Sequence, residues 1–146
     1  MNSNVFSLFD KTEIQKIGNK LYKTTIMEKR NKIIYYTATG LFSAMTLMAV
    51  MMYFFKTEDV RMMFESIGVS GALVIPLGIA KLLGLIAIWT NKSRLLKELA
   101  YLGYGMSFTG AIVAHLMAED GLFYGPIILI ILGGVSFIFH RKLFVN

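Results

Sequence analysis

"IIYYTATGLFSAMTLMAVMMYFF", residues 33–55, runs for 23 residues without a formal charge. A helix in a water-soluble domain alternates an apolar face with a polar one, and this window has almost no polar face. At about 1.5 Å per residue it is long enough to cross the roughly 30 Å of a bilayer's hydrocarbon. Three further windows read the same way, at about 69–90, 99–118 and 122–139. The second carries one charge, Lys81, the third contains His115, and the fourth carries none. Barrel strands would alternate over about 10 residues, and these windows do not. The expected fold is all-α: a polytopic membrane four-helix bundle over residues 33–146, preceded by an amphipathic helix in a basic arm, residues 1–32.

Composition agrees. The chain is 55% hydrophobic and 16% charged, with a mean hydropathy of +0.60, which is too apolar for an ordinary soluble domain. It has no cysteine, so disulfides, thiolate redox chemistry and cysteine-held metals are excluded. Residues 1–32 are long and charged and do not read as a signal peptide.

The cations are unevenly placed. Seven Lys/Arg precede residue 33, three (Lys92, Arg94, Lys97) lie between spans two and three, and Arg141 and Lys142 follow span four. Those twelve face two, Lys56 and Arg61, on the other side. The positive-inside rule then puts both termini in the cytoplasm, with the protein in the cell's inner membrane. The net charge of +6 is a topology signal, not a nucleic-acid footprint, because no soluble face interleaves basic and aromatic residues.

In the arm, Asp10 and Glu13 have capping-box spacing. Val5, Phe6, Leu8 and Phe9 form an apolar cluster, and Ile14, Ile17 and Leu21 share one helical face among lysines. Such a helix suits the inner leaflet or a cytosolic partner. Within the spans, Gly40/Ala44, Ala80/Gly84 and Gly110/Ala114 are spaced for close helix approach, and Pro76 is expected to kink the second span.

The polar residues inside the spans point to function. Lys81 lies about 13 Å from the cytoplasmic end of its span at helical rise. Its side chain should lean outward, toward its helix N-terminus. On the third span Glu98, Tyr101, Gly105, Thr109, Ile112, His115 and Glu119 follow 3- and 4-residue steps and form one stripe. Depth arithmetic brings the Lys81 amine within about 5 Å of the height of His115, so the two are expected to share one cavity. Glu65, Glu119 and Asp120 are the nearest acids by height, and Ser43, Thr46 and Thr109 supply neutral hydrogen bonds lower down. Glu98 and Tyr101 form a secondary polar stripe at the cytoplasmic end. A purely structural ion pair is the plainer reading of Lys81, and an interfacial histidine that of His115. No metal site is expected from one histidine and scattered acids.

"GIAKLLGLIAIW" and "RLLKELAYLGYGMSFTGAIVAHLMAEDG" together resemble the DoxX-like family of small four-span membrane proteins. The matching positions are Lys81, Leu83 and Gly84; Lys97, Glu98, Ala100 and Tyr101; and Gly110, Ala111 and His115. "FFKTEDVRMMFESIGVSGALVIPLG" is similar to the family's first outer loop. Leu99 stands where the family usually has tryptophan, and Ala114 where it usually has serine. The resemblance covers roughly residues 33 to 140 and implies a four-helix membrane fold. The family's name derives from a subunit associated with a quinol oxidase, and relatives are linked to membrane redox complexes.

Two functions follow as expectations. One is a module binding a lipophilic small molecule, a quinone among the candidates, beside Lys81 and His115. The other is a non-catalytic accessory or assembly subunit of a larger membrane complex; as partners, a membrane protein complex or a homo-oligomer is expected beside the lipid bilayer. A stand-alone oxidoreductase fits poorly, because the chain has neither cysteine nor a dinucleotide fingerprint. A transporter lacks the inverted repeat to rock about.

Overall fold

A bilayer offers the backbone no hydrogen-bond partner, so each apolar window must satisfy its own N–H and C=O groups as a helix. A computed structural model describes residues 3–90 and 92–144, with side chains from residue 11 onward. The elements are α1 (Ser3–Phe55), α2 (Thr57–Ser66), a 3-10 turn (Gly71–Leu73), α3 (Val74–Thr90), α4 (Arg94–Ala118) and α5 (Tyr124–Phe144). Four segments are long and apolar enough to cross a membrane: Lys11–Phe55, Gly71–Thr90, Arg94–Ala118 and Tyr124–Phe144. The chain is an integral membrane protein built as a four-helix bundle, with α2 a short helix at one end.

Around the bundle the order is α1, α3, α4, α5, and each helix packs on the two beside it. Short links make these neighbours antiparallel. The N-terminal part of α1, the end of α5 and the α3–α4 link lie at one end, the termini end; α2 and the α4–α5 turn lie at the other, the α2 end. Phe42 fills the centre, edge-on to Tyr104 at 5.0 Å and to Phe108 at 6.0 Å. Leu85, Ile88 and Leu129 complete the core. Large apolar side chains such as Leu41, Met48, Leu83, Ile86, Leu102 and Ile131 point outward, where lipid solvates them.

Close approach uses only some of the small residues expected. Gly40 and Gly110 have nothing near their missing Cβ, and Ala44 and Ala80 are exposed. Of the six, Gly84 and Ala114 pack inward. Gly78, Gly84 and Gly133 instead each make room for an aromatic ring. In this bundle rings, rather than bare backbones, fill the helix interfaces. Pro76 also departs from expectation. It is the third residue of α3, where its missing N–H has no intrahelical acceptor to lose, so it starts the helix instead of kinking it. Gly68 ends α2 with φ +77°. Its N–H bonds Glu65 O at 3.0 Å and the Val69 N–H bonds Phe64 O at 2.8 Å, a Schellman stop.

The arm and the first span are one helix. Nothing from residue 19 to 39 is Gly or Pro, and Thr24 and Thr25 bond the carbonyls of Lys20 and Leu21 at 2.9 Å each. Residues 11–30 are all exposed, so this stretch stands clear of the bundle. Asp10 lies inside α1 and is not its start; the side chains of Val5, Phe6, Leu8, Phe9 and Asp10 fall outside the described residues.

Adjacent glycines on α5 should behave oppositely. A Cβ on Gly133 would stand 3.0 Å from the fully buried Phe42 ring, whereas one on Gly134 meets nothing within 4 Å. Gly133→Ala is expected to destabilise by about 1–3 kcal/mol and Gly134→Ala to be neutral or to stabilise by up to about 1 kcal/mol. Thermal unfolding in detergent micelles measures both.

Candidate functional site

An ammonium in a bilayer needs partners. Lys81, on α3, is only 7% exposed. Its side chain rises toward the α2 end and donates from Nζ to Tyr53 Oη on α1 at 3.0 Å. Nζ also stands 4.3 Å from the Tyr53 ring centroid and 5.7 Å from that of Phe108 on α4. One phenol oxygen and two ring faces therefore hold the charge. Phe64 of α2 rests edge-on against Tyr53 at 6.1 Å and braces the cage from the α2 end.

The "KLLG" spacing has a geometric reason. The Tyr104 hydroxyl donates to the backbone carbonyl of Lys81. Its ring occupies the space beside Gly84, where a Cβ would come within 2.9 Å of it. Lys81 and Gly84 thus present one patch of α3 to a single tyrosine of α4.

Lys81 and His115 have separate partners. His115 Nδ1 lies 2.7 Å from Asp120 Oδ2 in the α4–α5 turn. His115 is seven residues beyond Phe108, about 10 Å farther along α4. The Lys81 chain ends at Tyr53. Among the described residues Lys81 pairs with no carboxylate. Glu65 is exposed beside Gly71, its Oε1 2.7 Å from where a Cβ there would stand. Glu119 is exposed and caps α4 with φ 51°. Ser43 is buried; it accepts from Trp89 Nε1 at 2.9 Å and donates to the Thr39 carbonyl at 2.7 Å. Thr46 is buried with no partner for its hydroxyl.

A second buried lysine was missed by counting link charges. Lys97 is 1% exposed, in the first turn of α4, and donates to Tyr35 Oη at 2.9 Å. The Tyr35 and Phe144 rings lie 5.4 and 5.8 Å from its Nζ. Its signal was helical register: Lys97, Tyr101, Tyr104 and Phe108 follow 3- and 4-residue steps. Beside it run Tyr101 Oη to Ser136 Oγ at 2.7 Å and Ser136 Oγ to Thr39 Oγ1 at 2.5 Å. His140 is buried against Tyr35 and Phe144, and its Nδ1 has no partner.

Between α4 and α5 a groove of about 660 Å³ opens sideways. Phe42, Tyr104, Phe108 and Leu129 form its floor, and Gly105, Met106, Gly134 and Phe137 are among its walls. Glu98 and Tyr101 lie toward its termini end and Thr109 toward mid-bundle. Four members of the polar stripe, Glu98, Tyr101, Gly105 and Thr109, thus share one groove, which Lys81, His115, Glu65, Glu119 and Ser43 do not line. Glu98 pairs with Arg94 at 3.0 Å.

With this geometry in place, the sequence model of the DoxX-like family matches residues 37–137. That is more than half of the chain, and the chain belongs to this family. No curated protein and no solved structure matches it.

Tyr53→Phe leaves the caged ammonium without its oxygen and should cost about 1.5–3 kcal/mol. Lys81→Met removes the charge with the need for a partner and should cost less. The double variant should unfold near the temperature of Lys81→Met, as a double-mutant cycle of thermal melts would show.

The turn beyond α4 gives a pH prediction. The Leu122 N–H and the His115 side chain hold the Asp120 carboxyl below its usual range. A group whose folded value is depressed stabilises above its unfolded value of about 3.9 and loses that contribution as pH falls through the folded one. The Tm difference between native protein and Asp120→Asn should be present at neutral pH and vanish in strong acid.

Proposed function

We propose that this chain binds a lipophilic small molecule, of the quinone or quinol kind, in the groove between α4 and α5. The observation that carries the reading is the groove itself. Its volume falls in the range of small-molecule sites; it is mostly apolar and aromatic, and it opens toward lipid. A ligand dissolved in the bilayer reaches it laterally. The span from Glu98 to Thr109 is eleven residues, about 16 Å along α4, so one end is polar and near the membrane surface while the other lies near the midplane. That gradient suits an amphiphile with a ring or headgroup at Tyr101 and a tail inward. Lys81 stands behind the floor, next to Phe108, and holds the wall rather than touching the ligand. In this reading the termini end faces the cytoplasm across the inner membrane, since eleven solvent-side Lys/Arg lie there against two at the α2 end; Lys97 is omitted as buried.

A second reading, an accessory subunit of a membrane complex, is favoured by one observation. Residues 11–30 of α1 are exposed throughout and offer a basic rod to a partner.

Gly105 has nothing within 4 Å of its missing Cβ, so Gly105→Leu fills the groove without disturbing the core. Decylbenzoquinone, titrated in its oxidised and reduced forms into protein in lipid nanodiscs, should bind in at least one form. Gly105→Leu should weaken that binding by tenfold or more while Tm stays within a few degrees. Equal affinity in both proteins would remove the groove from consideration, and a co-purifying partner in gentle detergent would favour the second reading.

A further inference from the structure

Each hydroxyl donates one proton and each carbonyl none, and that rule fixes the direction of every hydrogen bond around the groove. Thr39 Oγ1 lies 2.7 Å from the Tyr35 carbonyl, which only accepts, so the Thr39 proton is committed there. Thr39 must then accept from Ser136, and Ser136, its proton spent, must accept from Tyr101. The Tyr101 proton therefore points away from the groove and into the bundle. Thr109 donates to the Gly105 carbonyl at 2.8 Å, and Tyr104 donates to the Lys81 carbonyl. Glu98, as the carboxylate paired with Arg94, has no proton to give.

Those four are the polar side chains among the groove's lining residues. The helical backbone adds only carbonyls, because its N–H groups are spent inside α4 and α5. Every polar atom the groove presents is thus an acceptor, so a ligand donor is the group the site can pair and a ligand acceptor is left without a partner.

Resting on the groove reading above, we infer that the site takes a planar aromatic ligand that carries a hydroxyl: an alkylphenol or hydroquinone, and not the corresponding ether or quinone. The hydroxyl donates to Glu98, which Arg94 engages through one carboxylate oxygen only. The ring lies between the aromatic walls, and the tail follows the groove toward Thr109.

The test uses a redox-silent pair, tritiated 4-nonylphenol and its methyl ether 4-nonylanisole, bound to the protein in nanodiscs. The phenol should bind about tenfold tighter, the value of one hydrogen bond in such a setting. Gly105→Leu should abolish binding of both. Glu98→Gln puts an amide N–H at the polar end and should narrow the preference, because the ether oxygen then gains a donor. Equal affinity for phenol and ether, both lost in Gly105→Leu, would overturn the donor rule and leave the groove reading standing. Phenol binding that ignores Gly105→Leu would overturn both. So would a groove occupied by a phospholipid that neither probe displaces, or closed by a second copy of the chain, as native mass spectrometry would reveal.

Discussion

Two tyrosines on one helix hold two ammonium groups inside an apolar bundle, and the rest of the structure depends on that. Tyr35 and Tyr53 are eighteen residues apart on α1, five helical turns, so they lie on one face about 27 Å from each other. Tyr53 accepts from Lys81 on α3 and Tyr35 accepts from Lys97 on α4. That separation is close to the thickness of the hydrocarbon, so each pair lies near one edge of it, where a phenol belongs. A phenol offers a lysine both an oxygen and a ring face. The two clamps tie α1 to α3 at the α2 end and to α4 at the termini end. Lipid supplies no hydrophobic force between helices, so such polar ties and the ring packing around Phe42 must fix the arrangement.

The spans were legible because a charge-free window of twenty or so residues has few other meanings. Burial of Lys81 and its lean toward the α2 end were legible too, from its place in the window and the tilt of Cβ. Its partner was not. Tyr53 lies twenty-eight positions away, and nothing local marks which of seven tyrosines will face a given lysine. Depth arithmetic gave His115 instead, because it measured height along the helices and ignored direction around them. Lys97 was read as a link charge for the same reason: near a membrane edge, a charge pattern does not say which way a side chain turns. The stripe on α4 fared better, since helical register needs no knowledge of a neighbour. Its lower four members line one groove, although their chemistry depends on hydrogen-bond partners from α1 and α5 that register cannot supply.

The groove and the lysine cage share a wall. Tyr104 and Phe108 pack on Phe42, and Phe108 faces the Lys81 ammonium on its other side. Tyr101 lines the groove while its hydroxyl is tied to Ser136 beside the Lys97 clamp. Whatever fills the groove therefore presses on Phe108, a ring of the Lys81 cage, and on Tyr101, whose hydroxyl is tied beside the Lys97 clamp. Coupling of this kind needs no moving element; it follows from close packing, in which a shifted ring must shift its neighbour.

The family match separates what belongs to the common fold from what surrounds it. Residues 37–137 contain the whole Lys81 cage and every residue that lines the groove, the last being Phe137. They exclude Tyr35, His140 and Phe144, which enclose Lys97, and the exposed stretch of α1. The cage and the groove are thus built within the shared bundle. The Lys97 clamp is closed by residues just beyond it, at the point where α1 leaves the bundle. Tyr35 is at once the partner of Lys97 and the first buried residue of that long helix from residue 11 onward.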